Sequence, residues 1–540
     1  MKNGKALAVL ATGLGMIILD GTIVAVALPD IIEDLKLDLS DAQWVNASYS
    51  VIFAALLLTF GRLGDRLGRR EVFVGGIALF AVGSLLASMA TGPVSLIGAR
   101  LIQGVGGAAA LPSALSTVTA TFTGKSRVPA FAVWGVVASG SAAIGPLLGG
   151  WLTTAFTWPW IFLVNLPISV FVILGAILWV PNSKQTALAP GLDIPGLLLS
   201  ALGFGAIVFA LVEGQTYGWW TPHGAHNVLG VQVPADAPIS ATPVLLALGA
   251  LLVAGFILWE RHRARAQRSA LLDLTLFRIP TFRWGNTTAT TVAIGEFGIV
   301  FVMPLFLVNV LGLDTLKAGL VIAAMAFGAF WSGAMARHLA AAIGAPGTVV
   351  VGLALEVIGT AATALVITAT SSPWLLAGML AIYGFGLGLA SAQLTGTTLL
   401  EVPAAEAGQG SAAQSTVRQL GSALGTAIVG SALAVALASA VPSSLAGTSI
   451  SSSEADQLAT ATSESAGGVI EQLREQGTSS QLGSHTTEAV TALSDAFATA
   501  TSLALWIATA FLFIGLISSI LLVRHSPKHV KESAGTVAPG

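Results

Sequence analysis

Fourteen apolar runs, each long enough to cross a bilayer, are joined by short loops whose Lys and Arg residues fall almost entirely on one side. Hydrocarbon about 30 Å thick is spanned by roughly 20 apolar helical residues, and no backbone with unsatisfied polar groups is stable there. The runs lie near 6–29, 44–60, 71–90, 93–121, 130–154, 160–180, 192–213, 242–260, 282–309, 317–340, 348–370, 373–399, 416–439 and 499–523. They predict an all-α polytopic membrane protein with 14 transmembrane helices. With the N-terminus inside, Lys36, Lys317 and Arg474 fall outside and Arg100 falls within a span, so 20 of the 24 basic residues face the cytoplasm. The positive-inside rule then places both termini in the cytoplasm.

Composition narrows the function. Only 9% of residues are charged, against roughly 25% in a soluble domain. A net charge of −2, with the basic residues confined to loops, excludes a nucleic-acid binder. The chain has no cysteine, hence no disulfide or thiolate site, and its seven histidines form no metal-binding pair on a helix. The first run contains Asp20 and lacks a small-residue cleavage site, so it reads as a retained span rather than a leader. Three segments interrupt the rhythm. Residues 214–241 form a polar outer loop with Trp219 and Trp220 suited to the interface. Residues 266–284 are basic and amphipathic and are expected to lie on the inner membrane surface. Residues 440–498 are acidic and rich in Ser, Thr, Ala and Gly, with at most one short helix at Val469–Arg474.

The loop after the second run reads Gly61-Arg-Leu-Gly-Asp65-Arg66-Leu-Gly68-Arg69-Arg70. Its glycines allow a tight turn, and Asp65 and the arginines can bond one another or helix ends. The order closely resembles the signature loop of the major facilitator superfamily. Leu19-Asp20-Gly-Thr22-Ile-Val-Ala25-Val-Ala-Leu28-Pro29 is similar to the first-span motif of that family's fourteen-span drug:proton antiporter branch, with Ala25 where Asn is usual. Arg100-Leu-Ile-Gln103-Gly104 resembles its buried-arginine motif. The run from Gly140 through Gly145, Pro146, Gly149 and Gly150 resembles the antiporter motif, with Ser141 in place of a glycine. Trp158-Pro159-Trp160 leading to Asn165 and Pro167 is similar to the branch's entry to span 6, with Pro159 where Arg is usual.

The resemblance implies two six-helix bundles related as parallel repeats, plus two inserted helices. The expected units are 1–185, the inserted pair 186–265, a cytoplasmic amphipathic segment 266–284, and 285–540 with its outer loop 440–498. Substrate would bind near the midplane between bundles that rock about it. Gly61, Asp65, Arg66, Gly68 and Arg69 would form the conformational switch, with Asp65 bonding at the inner bundle interface.

Ionisable residues inside a membrane cost about 2.5–3.5 kcal/mol on insertion scales and normally have a task. Asp20 lies fourteen residues into its run, roughly 21 Å deep at about 1.5 Å per residue. Arg100, entering from outside, lies roughly 10 Å down by the same rise. The two are thus able to meet, with Gln103 on the same helix face. Glu296 is equally deep in the first span of the second bundle, a pseudosymmetric counterpart of Asp20. Asp20, Arg100 and Glu296 are the expected proton-coupling residues; a structural ion pair is the competing reading. Asp20, Gln103, Glu296, Phe297, Phe301, Met303, Phe327 and Trp331 are candidates for contact with substrate, and the aromatics are equally suited to packing or lipid. Glu356, about a turn or two inside its span, is expected to be a structural or near-interface residue, and Asp193, Glu213 and Glu260 at span ends need no role. The glycine runs Gly104–Gly107 and Gly384–Gly388 follow no strand and read as helix packing, not phosphate loops.

The expectation is a monomeric, proton-driven exporter of amphiphilic cationic or neutral molecules in a bacterial cytoplasmic membrane. It needs no cofactor or metal, since the proton gradient supplies the energy. An exporter of one endogenous compound, an importer, and a non-transporting sensor or scaffold are the alternatives. No nucleophile–base set suggests an enzyme.

Overall fold

The computed structural model describes residues 2–122, 127–182, 193–228, 230–266, 268, 270–403 and 407–526. Lys125, Lys184, Lys528, Lys531 and the expected boundary at 185/186 lie outside the described residues. The chain closes its backbone hydrogen bonds in long helices: α1 (Lys2–Leu35), α2 (Leu39–Leu67), α3 (Arg69–Ser88), α4 (Pro93–Thr121), α5 (Arg127–Ala155), the broken span α6 (Trp160–Leu163) and α7 (Asn165–Trp179), α8 (Ile194–Tyr217), α9 (Ala241–Arg265), α10 (Pro280–Leu305), α11 (Thr315–Ile343), α12 (Ala345–Val366), α13 (Pro373–Thr398), α14 (Ala407–Leu445), α15 (Ser452–Glu464), α16 (Gly468–Gln476) and α17 (Thr486–His525). Among the described residues 13 of these elements, with α6–α7 counted as one, are long and apolar enough to span a membrane, and α5 occupies the place expected for the remaining span.

Local chemistry sets the ends. Asp38 and Asp41 form a reciprocal capping box at α2, and Ser451 and Glu454 form another at α15. Ser240 and Asp314 cap α9 and α11. Proline opens α4, α10 and α13, where its missing N–H costs nothing. Pro304 has the opposite effect near the end of α10, and the helix widens into a π-helical turn at Phe306–Val310.

Four expected segments gain detail or change. The loop 214–241 contains an antiparallel hairpin, β1 (His226–Val228) and β2 (Val231–Val233), with His226 opposite Val233. Segment 266–284 packs part of its apolar side on protein: Leu276 is buried with Phe282, Val402 and Ala413. Much of 440–498 is helical, since α14 runs on to Leu445, α17 starts at Thr486, and α15 and α16 fold between them. Finally, α14 begins at Ala407, so Arg418 lies eleven residues inside a helix rather than at its cytoplasmic mouth.

The helices pack as two repeats. In the first, α1 packs on α5 and α7, and α4 on α2 and α3; in the second, α10 packs on α14 and α17, and α13 on α11 and α12. The inserted pair α8–α9 leans on α2 and α14. The repeats meet through α5–α11, α2–α14 and α1–α10.

The face bearing the signature loop and the opposite, far face differ in how the repeats join. Toward the far face one apolar core contains residues of both, Ile23, Leu28 and Phe162 with Phe306, Leu433 and Phe497. It also takes in Ile470 and Leu473 of α16, which caps that face. Toward the signature-loop face the cores are largely distinct, one around Leu10, Phe53 and Phe73, against which Ala412 of α14 packs, and another around Val349, Leu394 and Leu522.

Candidate functional site

Asp20 and Arg100 meet inside the first repeat. Arg100 Nη1 lies 2.5 Å from Asp20 Oδ2, and both side chains are buried to within 1%. Gln103 Nε2 and Asn165 Nδ2 donate to Asp20 Oδ1 at 3.0 and 2.9 Å, and both also donate to Ser84 Oγ. Arg100 Nε donates to Val45 O at 3.1 Å, and its guanidinium carbon stands 4.4 Å from the centroid of the Tyr49 ring. The cluster thus joins α1, α4 and α7 through the carboxylate and α3 through Ser84, while the arginine adds α2. Charge-assisted bonds of this kind are the strong ones, and in a dry interior they are felt at full strength.

The antiporter motif lies where α5 crosses α1 and α11. A Cβ at Gly145 would run into the Thr22 side chain, and one at Gly149 would stand 2.8 Å from Ile23 O. A Cβ at Gly150 would stand 2.8 Å from Thr315 O, and Pro146 O would lie 2.6 Å from a Cβ at Gly319. Thr315 Oγ1 also donates to Asp30 Oδ2 at 2.5 Å. This seam lies toward the far face. On the same stripe of α11, Gly319, Ile322, Ala323 and Ala326 are buried, whereas Phe330, Ala334 and Arg337 are exposed. The α5–α11 seam is therefore shut toward the far face and parted toward the other.

In the signature loop Gly68 adopts φ +127°, and a Cβ there would run into the Asn182 amide. Gly61 stands near Pro112 and Arg66 in the last turn of α2. Asp65 accepts from Arg69 Nε at 2.8 Å, and Arg69 Nη1 donates to Ser116 O at 3.1 Å. These bonds stay within the first repeat. The bond expected from Asp65 to the second is not formed among the described residues in this conformation, which fits the parted seam on that face.

Glu296 does not mirror Asp20. Its partner, Arg418 Nη2 at 3.1 Å, comes from α14 instead of from the α4 counterpart α13, and the arginine is 48% exposed. Phe301 and Met303 are packed in the core shared by the repeats. Phe327 and Trp331 are exposed and in edge-to-face contact, and Phe297 is half-buried. Asp20, Arg100 and Gln103 are thus gathered in one cluster; Glu296 and the aromatics lie apart from it.

Several residues escaped the sequence reading. Ser84 and Asn165 complete the Asp20 cluster, and an Asn inside an apolar span is the one signal that pointed there. Asp193 pairs with Arg263 at 3.1 Å and accepts from Trp259 Nε1 at 2.8 Å, tying α8 to α9. Glu260 is fully buried and accepts from Leu272 N. Of the two expectations for Glu356, the near-interface one is not met: it is fully buried midway along α12.

The sequence profile of the Major Facilitator Superfamily matches residues 10–426. Among similar proteins, the multidrug resistance protein Stp of Mycobacterium tuberculosis is 33% identical over 80% of this chain and 77% of its own. The multidrug efflux pump LfrA of Mycolicibacterium smegmatis is 34% identical over 79% and 80%. A probable actinorhodin transporter of Streptomyces coelicolor is 32% identical over 77% and 70%. In fold the chain resembles a crystallised bacterial homologue of the human lysosomal transporter Spinster in an inward-facing, unoccupied conformation, with a TM-score of 0.61, 17% identity, and 98% and 99% of the two chains covered. Profile, relatives and helix packing agree, and the chain belongs to the Major Facilitator Superfamily.

Proposed function

We propose that this protein exports amphiphilic cationic or neutral small molecules across a bacterial cytoplasmic membrane in exchange for protons. The signature-loop face and both termini lie in the cytoplasm, and the protein acts as a monomer driven by the proton gradient without a cofactor. The observation that carries this reading is the Asp20–Arg100–Gln103–Asn165 cluster, a sealed carboxylate that holds three helices together beside the seam between the repeats. A proton on Asp20 removes the charge that Arg100 faces, and the freed guanidinium and amides must find other partners. Helices joined through that cluster then favour a different packing. Protons arriving while the far face is open, and leaving while the cytoplasmic face is open, would drive the cycle. Substrate would enter between the repeats beside Glu296 and Arg418 from the cytoplasmic side.

The names of the relatives support the substrate class. They also support a narrower reading, because the Streptomyces coelicolor relative is named for one antibiotic. Competition among unrelated compounds separates the two: a dedicated exporter would show a narrow profile.

The test is proton release from energised inverted vesicles on adding a panel of cationic and neutral compounds. Wild type is expected to move protons with some compounds and Asp20→Asn with none. A wild type that moves no protons with any compound would refute the antiport. An active Asp20→Asn would transfer the proton role to another carboxyl.

A further inference from the structure

In the second repeat, α12 and α13 cross with their backbones nearly touching. A Cβ at Gly352 would lie 2.7 Å from Gly386 O, one at Gly386 2.7 Å from Glu356 N, and one at Gly359 2.5 Å from Tyr383 N. This crossing seals the side chains of Glu356 and Tyr383, which have no exposed surface. Neither carboxyl oxygen of Glu356 and not the Tyr383 hydroxyl meets a hydrogen-bond partner. Asp20, equally buried, has three side chains donating to it.

The first repeat shows what this crossing requires for packing alone. There Gly106 approaches Phe80 N, and Gly83 approaches Gln103 N, in the way Gly386 and Gly359 approach Glu356 and Tyr383. An apolar Phe80 thus fills the place equivalent to Glu356, so packing does not call for an acid. Glu356 lies eleven residues into α12, about 16 Å at about 1.5 Å per residue, near the middle of the bilayer. The titratable groups that act on it are Glu296 of α10, Arg418 of α14 and Tyr383 of α13; among the described residues none comes from α11 or α17. A bare carboxylate without a donor or a touching cation is heavily penalised in such a place.

We propose that Glu356 is a proton-binding site separate from Asp20, holding a proton while Glu296 pairs with Arg418 and releasing it when that pair is broken. The proposal rests on the antiport reading and adds a trigger to it. A cationic substrate that engages Glu296 leaves Arg418 without its partner. The guanidinium is then free to stabilise an ionised Glu356, whose proton passes to water in the cytoplasmic opening. Proton and substrate thereby compete through one arginine without sharing a site.

The trigger is testable without any substrate. Infrared spectra of the purified protein in lipid at neutral pH, in H₂O and D₂O, report protonated carboxyls, and ¹³C-glutamate labelling of wild type assigns them to Glu without a substitution. Wild type is expected to show a protonated glutamate band that Glu356→Gln lacks. Glu296→Gln, which leaves Arg418 unpaired, is expected to lose the same band, and Glu296→Gln with Arg418→Ala to regain it. Absence of a labelled band in wild type would overturn the site, and a band that survives Glu296→Gln would overturn the trigger. Failure of the antiport reading itself would appear in the vesicle assay instead, as a wild type that moves no protons.

Discussion

At the scale of single residues, the Asp20–Arg100 pair is expected to hold the first repeat together as well as to respond to protons. Removing one member of a buried pair typically costs about 3–5 kcal/mol, because the other charge is left stranded. Arg100→Ala should therefore lower the unfolding temperature sharply, whereas Asp20→Asn with Arg100→Gln, which removes both charges, should recover much of the loss. Thermal melts of the single and double variants in one lipid would decide it, and an Arg100→Ala as stable as wild type would dismiss the structural part. How far this site could be read from the chain depends on what a sequence encodes. Depth along a helix follows from a fixed rise, so the meeting of Asp20 with Arg100 was legible. The direction each helix faces was not, which is why Ser84 joined the cluster unannounced and the Arg418 partner of Glu296 was not foreseen. Glu356 was misplaced for a similar reason: its helix starts at Ala345, before the apolar run does, and those added residues move it to mid-membrane.

Among the elements, α5 and α11 form the seam whose geometry is set by residues without side chains. The space at Gly150 is bounded by the Thr315 carbonyl and the Leu316 Cα, neither of which can swing away. Gly150→Leu is expected to hold the far face open. The chain has no native cysteine, so a single Thr315→Cys, buried in the parent, should become reactive to a membrane-impermeant thiol reagent in the Gly150→Leu background. Unchanged labelling would show that the seam does not govern opening. The first turn of α11 should also respond to pH. The Lys317 side chain beside Asp314 holds its carboxyl below the usual carboxylate range, with the Lys317 amide helping. Stability from this group is thus complete above the ordinary Asp value and is lost as pH falls through the lowered one. Asp314→Ala should cost about 1 kcal/mol through the lost cap, while Lys317→Ala should cost little, since that pair is exposed. Amide exchange at Ala318 and Gly319 would measure both. The start of α14 illustrates a limit of reading elements from hydropathy: Ala407–Thr416 is small and polar enough to pass for a loop, yet it is helical and carries Arg418 inward.

For the molecule as a whole, the signature loop is expected to act on the balance between conformations and not on the binding site. Asp65→Ala should impair transport while equilibrium binding of a substrate stays measurable; an Asp65→Ala protein that fails to insert or fold would remove that claim. The general plan, paired bundles with an inserted helix pair, was legible because repeated spans and the loop motif belong to one known arrangement. The far-face cap was not, because its composition resembles a disordered tail until α16 docks through Arg474 on the carbonyl of Val310. A joint core on one side and two largely distinct cores on the other also constrain how hard the carrier is to turn over. Each large apolar side chain taken back into water costs about 1.5–3 kcal/mol, while one charge moving through 100 mV delivers about 2.3 kcal/mol. No proton can lever that joint core apart unaided. The far side can open only as a new seam forms on the signature-loop side, from side chains of the α11 stripe that now stand apart there, Phe330 and Ala334 among them. Those side chains are the counterweight of the cycle, and the turnover rate is set by how evenly the two seams are matched.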